Sequence, residues 1–416
     1  MVIILDTSDK ARTWRLPDKP EYQALNGIGE LNMKRQLIFA AVVCLGWAQK
    51  SIRAGNINGK EVGTLVVGLI LPMSGPQSVY GKEAYEGARL ALEDLEVSYP
   101  GFAGMIRLET GDDRSTAAGA KEAAEELIQK KRAAILIGSV SPVSSNAIED
   151  LVKKAGVPHI IPADITLPAV NLSETAFRSS ALERWQGHLL SVFAVANLKA
   201  KKVSVLFDPK DTLSRDVLET FLKHFEKHGG SLVSKVQYNQ EKADFGDRLT
   251  EVLRGKPDAI LFPSPVAGDV SEVMTRLRAL KSDIPLLGLE RWNRPALTRA
   301  AGPAWAGHYF VTSFTKDSGG QKVNHFVNRF KTTNKRYPGV LAAMAYDAMI
   351  LAGDSFRRAQ TTRPAELIRT IRRTSQAEGL SGPFSVNSHG FAEKSGAVMK
   401  TTDSGSSFQA MVSPGS

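Results

Sequence analysis

The stretch TLVVGLILPMSGPQSVYGKEAYEGARLALEDLE, residues 64–96, decides the fold of this chain. It opens with an apolar run, Leu65–Leu71, that is followed by Pro72 and Gly75. Such a run predicts a strand buried on both faces, as in a parallel sheet. The residues after it predict a helix, because small apolar side chains recur there at helical spacing. The Ser-Gly-Pro turn between strand and helix ends near Tyr80, and a turn at this end of a strand faces the ligand crevice of an open α/β sheet.

The same alternation of strand and helix patterns continues to about residue 284. Further strands are predicted at residues 105–110, 133–137, 159–161, 203–207, 232–238, 259–262 and 286–289, and helices at residues 116–129, 144–155, 183–197, 213–228, 245–253 and 270–280. Repeated βα units of this length indicate parallel sheets with helices on both faces. The chain is long enough for two such domains, and no stretch resembles a flexible linker. We therefore predict an α/β fold with two doubly wound parallel-sheet lobes joined by short crossings.

The N-terminal region carries the pattern of a secretory signal peptide, starting at Met33. Lys34 and Arg35 precede nine apolar residues, 37–45, and residues 46–48 form a small-x-small exit. Nine apolar residues are too few to span a bilayer, although an ordinary buried helix is an alternative. We predict a signal peptide at residues 33–48 and a periplasmic location. Residues 1–32 are then interpreted as an over-extended start or a disordered extension.

Composition excludes several classes of function. Cys44 is the only cysteine and lies in the apolar stretch. Cleavage would leave a mature chain without cysteine, which excludes disulfides, thiol catalysis and cysteine-bound metals. The net charge is +10, but the basic clusters lie near predicted helix ends, where the helix dipole favours cations. Aromatic residues do not alternate with them as they do in a nucleic-acid groove. Nucleic acid is therefore not an expected partner.

Sequence motifs for catalysis and cofactor binding are incomplete or missing. His224 and His228 lie four residues apart without a third ligand, which favours a solvated helix face over a metal site. Asp112 and Asp113 follow a strand and are expected to cap the next helix. A Gly-x-Ser-x-Gly elbow, a Walker loop and a Gly-x-Gly-x-x-Gly turn are all missing from the required strand–turn–helix context. We predict neither enzymatic activity nor a cofactor nor a metal.

Six segments, in order, resemble the leucine/isoleucine/valine-binding family of type I periplasmic solute-binding proteins of ABC importers. They are residues 64–96, GDDRSTAAGAKEAAEELI (111–128), GSVSPVSSNAIEDLVKKAGVPHIIPADITLP (138–168), FRSSALERWQG (177–187), AYDAMILAGDSFRRA (345–359) and EGLSGPFSVNSHG (378–390). The resemblance implies a two-lobed flytrap that closes over an amino acid or related small carboxylate and delivers it to a membrane permease. It implies three hinge crossings, near residues 182–183, 311–312 and 385–386. The first lobe would then comprise residues 62–183 with 312–385, and the second 184–311 with 386–416.

The same resemblance suggests the ligand contacts of the first lobe. Ser141, Ser144 and Ser145 form the Ser-rich loop that would hold the ligand carboxylate, since free N–H groups at a helix N-terminus favour an anion. Alternatively, Ser144 or Ser145 caps the helix that starts there. Pro142 replaces a serine of the family pattern and has no N–H to donate.

Four further contacts follow from the resemblance. Ala163 would offer a carbonyl and Thr166 a hydroxyl, although one extra residue in PADITLP displaces that threonine. Tyr80 would flank the ligand side chain, unless it is a core aromatic. Glu290 would pair with a ligand ammonium, unless it is a solvated residue at a strand end.

The sequence indicates the partners and the solute only by class. The expected partners are the solute and the permease, and the protein is expected to be a monomer. The alternative function is a ligand-sensing regulatory module for an amide or amino acid on the same fold. A branched-chain amino acid, an amide and an aliphatic or aromatic carboxylate all remain open as solutes.

Overall fold

The computed structural model describes residues 55–162, 173–181, 183–239 and 245–413. In chain order its strands are β1 (Gly55–Ile57), β2 (Lys60–Val62), β3 (Leu65–Leu71), β4 (Ile106–Asp112), β5 (Ile135–Gly138), β6 (His159–Ile161), β7 (Ala176–Ala181), β8 (Lys202–Phe207), β9 (Ser231–Gln237), β10 (Ala259–Leu261), β11 (Leu286–Gly288), β12 (Tyr309–Thr312), β13 (Ala377–Gly379), β14 (Gly382–Val386), β15 (Phe391–Lys394), β16 (Gly396–Thr402) and β17 (Gly405–Val412). Its helices are α1 (Ser78–Ser98), α2 (Ala117–Glu125), α3 (Pro142–Ala155), α4 (Glu183–Ala196), α5 (Thr212–Lys227), α6 (Phe245–Arg254), α7 (Ala267–Ala279), α8 (Pro295–Ala301), α9 (Gln321–Asn334), α10 (Val340–Ala359) and α11 (Pro364–Arg372). Each strand and helix predicted from pattern between residues 105 and 289 has a counterpart here, with ends that differ by a few residues.

The first large sheet has eight strands in the order β13-β14-β15-β7-β6-β5-β3-β4. Its strands from β4 to β15 run parallel, whereas β13 and β14 are antiparallel additions at one edge. All residues of β3 are buried, because the strand pairs on both sides and is covered on both faces. Val67 belongs to the apolar cluster that includes side chains of α1, α9, α10 and α11, and Ile70 belongs to a second cluster that includes side chains of α2 and α3. We call this sheet with these six helices the first lobe.

The second large sheet has seven strands in the order β17-β16-β12-β11-β10-β8-β9. Strands β8 to β12 run parallel, and the hairpin of β16 and β17 adds antiparallel to β12. Val205 packs toward α4 and α5, while the next residue, Leu206, packs toward α6, α7 and α8. We call this sheet with its five helices the second lobe. The two parallel-centred sheets, each covered by helices on both faces, confirm the α/β fold predicted from the sequence.

The chain passes between the lobes three times within the described residues: after β7, after β12 and after β15. The third crossing was expected near residues 385–386, but it lies at Ser395, between β15 and β16. The reason is that β14 turns back into β15, and β15 pairs parallel with β7 in the first sheet. Residues 386–394 therefore belong to the first lobe and not to the second.

Close packing of α1 on α10 holds the core of the first lobe together. At Gly87 a Cβ atom would lie 2.0 Å from the carbonyl oxygen of Ala342, so only glycine allows this approach. Most of α10 is buried, from Ala342 to Phe356. In the described part of the chain, every helix is too short or too polar to cross a membrane. The expected signal peptide at residues 33–48 and the segment 1–32 before it lie outside the described residues.

Candidate ligand crevice and hinge

The carboxyl ends of β3, β4 and β5 lie side by side, and Asp112 organises the loops that leave β3 and β4. Its Oδ1 accepts hydrogen bonds from the backbone N–H groups of Met73 (2.9 Å), Ser74 (3.1 Å) and Arg114 (2.9 Å). Burial acts to raise the pKa of Asp112, but the hydrogen bonds from Ser74, Arg114 and Met73 outweigh it and leave the pKa below its usual value. The turn after β3 is thereby fixed to the end of β4.

Asp113 connects the end of β4 to the end of β5. Its fully buried carboxyl accepts from the Ser139 hydroxyl at 2.5 Å and from the Ser115 N–H at 2.7 Å. Burial raises the pKa of Asp113. The expectation that this Asp pair caps the next helix was wrong, because Thr116 caps α2 by accepting from the Gly119 N–H at 3.0 Å.

The Ser-rich loop leads from β5 into α3, and its hydroxyls have distinct partners. Ser141 caps the helix, with its Oγ accepting from the Ser144 N–H at 3.1 Å. The Ser145 hydroxyl donates to the Ser139 carbonyl at 3.1 Å, and the Ser144 hydroxyl lies 3.5 Å from the Thr116 carbonyl. The alternative that Ser144 or Ser145 acts as the cap is therefore wrong, since the helix starts one turn earlier. Contact between these serines and a ligand stays a prediction.

Apolar side chains are exposed beside this loop. Tyr80 and Val79, in the first turn of α1, are 51% and 59% exposed, and Val143, in the first turn of α3, is 64% exposed. The three follow the neighbouring strands β3 and β5, and we call them the apolar rim. The alternative that Tyr80 is a core aromatic is wrong, because a core ring would be buried. The other two first-lobe candidates, Ala163 and Thr166, lie outside the described residues.

Glu290 lies two residues after the end of β11 in the second lobe and is only 6% exposed. Its Oε1 accepts from the Thr312 hydroxyl at 2.7 Å and from the Ser313 N–H at 2.6 Å, and its Oε2 from the Ser313 hydroxyl at 3.1 Å. Its own N–H donates to Oε1 of Gln186 at 3.0 Å. The alternative of a solvated glutamate at a strand end is wrong, since this carboxylate is buried at the second crossing. Pairing with a ligand ammonium stays a prediction.

A buried ion pair stands at the third crossing and was missed by the sequence reasoning. Nζ of Lys394, the last residue of β15, lies 2.5 Å from Oδ2 of Asp347 in α10, with side chains 2% and 0% exposed. The other carboxylate oxygen accepts from the Leu380 N–H at 2.7 Å. The Lys394 carbonyl accepts from the Trp185 indole N–H at 2.9 Å, which ties the first crossing to the third. The available signal was a lone aspartate inside the apolar run AYDAMILAG, because a buried charge requires a partner.

His224 and His228 belong to a column of rings on α4 and α5. Ring centroids are 4.6 Å apart for Trp185 and His188, 4.4 Å for His188 and His224, and 4.1 Å for His224 and His228. Burial, together with the neighbouring histidines, lowers the pKa of His224 to about 4, and its Nδ1 lies 2.7 Å from the Ser191 hydroxyl. Among the described residues, no group of three or more His, Cys, Asp or Glu side chains is arranged to hold a metal ion.

Comparison with known proteins shows consistent similarity over most of the chain. A family model described as a periplasmic binding protein matches residues 64–406. The leucine-, isoleucine-, valine-, threonine- and alanine-binding protein of Pseudomonas aeruginosa is 23% identical over 346 residues, which cover 80% of this chain and 87% of that protein. A leucine-binding protein structure from Thermotoga maritima is 27% identical with a TM-score of 0.63, covering 85% of this chain and 99% of that one. The fold is also that of an ABC transporter solute-binding protein from R. palustris in complex with benzoate (22% identity, TM-score 0.58, 85% and 97% covered).

Proposed function

Because the chain belongs to the periplasmic binding protein family, we propose that it is the extracytoplasmic receptor of an ABC importer for an amino acid or a related small carboxylate. The observation that carries this proposal is the arrangement of two α/β lobes joined by three crossings. In such folds ligands bind where the carboxyl ends of the strands meet. The names of the relatives support a small carboxylate, since one is named for five amino acids and another holds benzoate.

We place the carboxylate of the solute at the N-terminus of α3, where the helix dipole favours an anion. Ser141 is the donor that the contacts favour. Its oxygen accepts the capping hydrogen bond, which leaves the hydroxyl hydrogen available for a ligand. The hydroxyls of Ser144 and Ser145 instead point at carbonyl groups of the protein, so they contribute less. Ala163 and Thr166, in the segment after β6, complete this wall in the proposal.

The apolar rim would contact the hydrocarbon part of the solute. Tyr80, Val79 and Val143 are large and exposed, and burying them against a ligand is favourable by about 25 cal/mol per Å². Closure of the second lobe would supply that burial. A ligand shifts the open–closed equilibrium only by its extra affinity for the closed state. A dissociation constant of about 1 μM corresponds to about −8 kcal/mol, which is enough for a useful shift.

The proposal is tested with the full chain expressed for export and purified from the periplasm. Mass spectrometry of the secreted protein should show cleavage after Ala48, in keeping with the pattern at residues 33–48. Thermal shift against amino acids, amides and carboxylates should then show one responding class, and small-angle scattering should show compaction with that class only. A panel without any responder, or compaction without a change in melting temperature, would contradict the receptor proposal. A sensor would bind the ligand equally well but fail to stimulate ATP hydrolysis by a reconstituted permease.

Serine variants test the placement of the ligand. Ser141→Ala should weaken binding by about tenfold, the value expected for one hydrogen bond to a charged group. Ser145→Ala is the matched control, because the same atom is removed from a neighbouring hydroxyl that is already committed to the Ser139 carbonyl. Equal effects of the two variants would remove Ser141 from the site.

A further inference from the structure

The polar contacts around the crossings assign Glu290 a role in the hinge. We propose that its carboxylate is a positioning group that fixes the second crossing to the second lobe, and that it acts on solute affinity through lobe closure and not through pairing with a ligand ammonium. The part that concerns affinity rests on the proposed function. The part that concerns the hinge does not need a ligand.

The hydrogen bonds of Glu290 support this role directly. A carboxylate offers about four acceptor sites, and here Thr312 and Ser313 fill three of them. These bonds to a charged acceptor are strong because the group is buried and shielded from water. An ammonium ion would therefore meet a carboxylate whose charge is already shared among three hydrogen bonds, and it would gain less from this group than from an unpaired carboxylate.

The position of Glu290 between two crossings explains what the contacts achieve. Its N–H binds Gln186, in the first turn of α4 after the first crossing, while its carboxylate binds the residues that leave β12. Beyond these bonds, the Ser313 carbonyl accepts from the Ser381 hydroxyl of the first lobe at 3.1 Å. One residue of the second lobe therefore fixes the first and the second crossing relative to each other. Rotation of the lobes must bend the chain outside the part that Glu290 fixes.

Two variants separate the hinge role from the ammonium role. In the double variant Thr312→Val/Ser313→Ala the carboxylate stays in place and able to pair with an ammonium, but it loses two hydroxyl donors. In Glu290→Gln the negative charge is lost, but Oε1 can still accept from Thr312 and from the Ser313 N–H. A hinge role predicts that the double variant is the more damaging one. An ammonium role predicts the opposite order. Both changes are close to isosteric, and urea unfolding checks that each variant is folded.

The decisive measurement is the distribution of distances between the lobes in the ligand-free protein. Spin labels at Glu125→Cys in α2 and Glu219→Cys in α5 use exposed positions, one in each lobe. We expect Thr312→Val/Ser313→Ala to broaden the distribution and to weaken the best solute by about tenfold, with Glu290→Gln close to wild type in both. A double variant with the wild-type distribution overturns the proposal, whatever its affinity. Loss of binding in Glu290→Gln alone, with unchanged distances, would establish the ammonium partner instead and would leave the receptor function intact.

Discussion

The buried ion pair of Lys394 and Asp347 allows a quantitative prediction of stability. The two groups are 2.5 Å apart and at most 2% exposed, so water cannot replace either partner. At an effective dielectric constant of about 20 their attraction is roughly 7 kcal/mol. Removing each ion from water costs several kcal/mol, so the intact pair contributes little beyond what apolar side chains would contribute. Removing only one partner leaves a buried charge, and this costs about 3–5 kcal/mol.

The perturbations are Lys394→Met, Asp347→Leu and the double variant. We expect each single variant to lose about 3–5 kcal/mol of unfolding free energy, with Asp347→Leu at the upper end because the Leu380 N–H also loses its acceptor. The double variant should recover most of the loss. The assay is urea unfolding followed by both circular dichroism and tryptophan fluorescence, since coincident transitions are needed before a single free energy is meaningful.

The control is a matched but exposed ion pair. Arg276 and Glu272 lie 2.8 Å apart on α7 with side chains 45% and 41% exposed, so Glu272→Ala should cost about 0.5 kcal/mol or less. The reasoning is refuted if Lys394→Met costs less than about 1 kcal/mol, or if the double variant is as unstable as the worse single variant. The first result would mean that water reaches the pair, and the second that shape and not charge determines the cost.

Three further predictions concern other parts of the fold. His159 and His308 are buried, and burial lowers the pKa of each to about 4, so the folded protein holds them neutral while the unfolded chain protonates near pH 6.5. The unfolding free energy should therefore be unaffected by these histidines above pH 6.5 and should fall by about 3 kcal/mol per histidine as the pH drops toward 4. In His159→Gln the melting temperature should fall less steeply with decreasing pH, which would identify His159 as one source of the loss. Ser141→Ala removes the cap of α3 and should cost about 1 kcal/mol in urea unfolding, while an unchanged midpoint would mean that the cap is dispensable. Gly87→Ala should lower stability by about 1–3 kcal/mol because its Cβ meets the backbone of α10, whereas at Gly104, where an added methyl group would meet no atom within 4 Å, the same change should have little effect on the melting temperature.

The middle of the chain was predictable because its signals are local. Most of the strands predicted between β4 and β11 contain a short apolar run and the helices have one apolar face, so period and length suffice. Strand β7, with the sequence AFRSSA, has no such run and was not predicted as a strand. The strand that pairs with β7 could not be found this way. Its partner β15 lies about two hundred residues later, and it is placed in the first sheet by the pairing of Phe391 with Arg178 and of Ala392 with Ala181. That long-range contact moved the third crossing from residues 385–386 to Ser395.

The start of α3 shows a signal that is present in the sequence and has two meanings. Proline is favoured at the first position of a helix, where its missing N–H is not needed. Pro142 therefore points to Ser141 as the cap, and the structure has this arrangement. Compared with the family pattern alone, the same proline is only a residue that lacks an N–H donor for an anion. One residue thus fixes the helix boundary and decides which of the three serines keeps a hydroxyl hydrogen for a ligand.

The hinge explains why the role of Glu290 could not be predicted from its sequence neighbourhood. Its position after a strand indicates the edge of the sheet, and the same position suits a ligand contact and a structural acceptor equally well. What separates the two is the identity of the donors, Thr312 and Ser313, which belong to the next strand and its exit. Lys394 and Asp347 follow the same rule, because these two charged residues are also distant in the chain and paired at a crossing. Buried charges thus fix the ends of the crossings, and the freedom to bend is left to the segments between them.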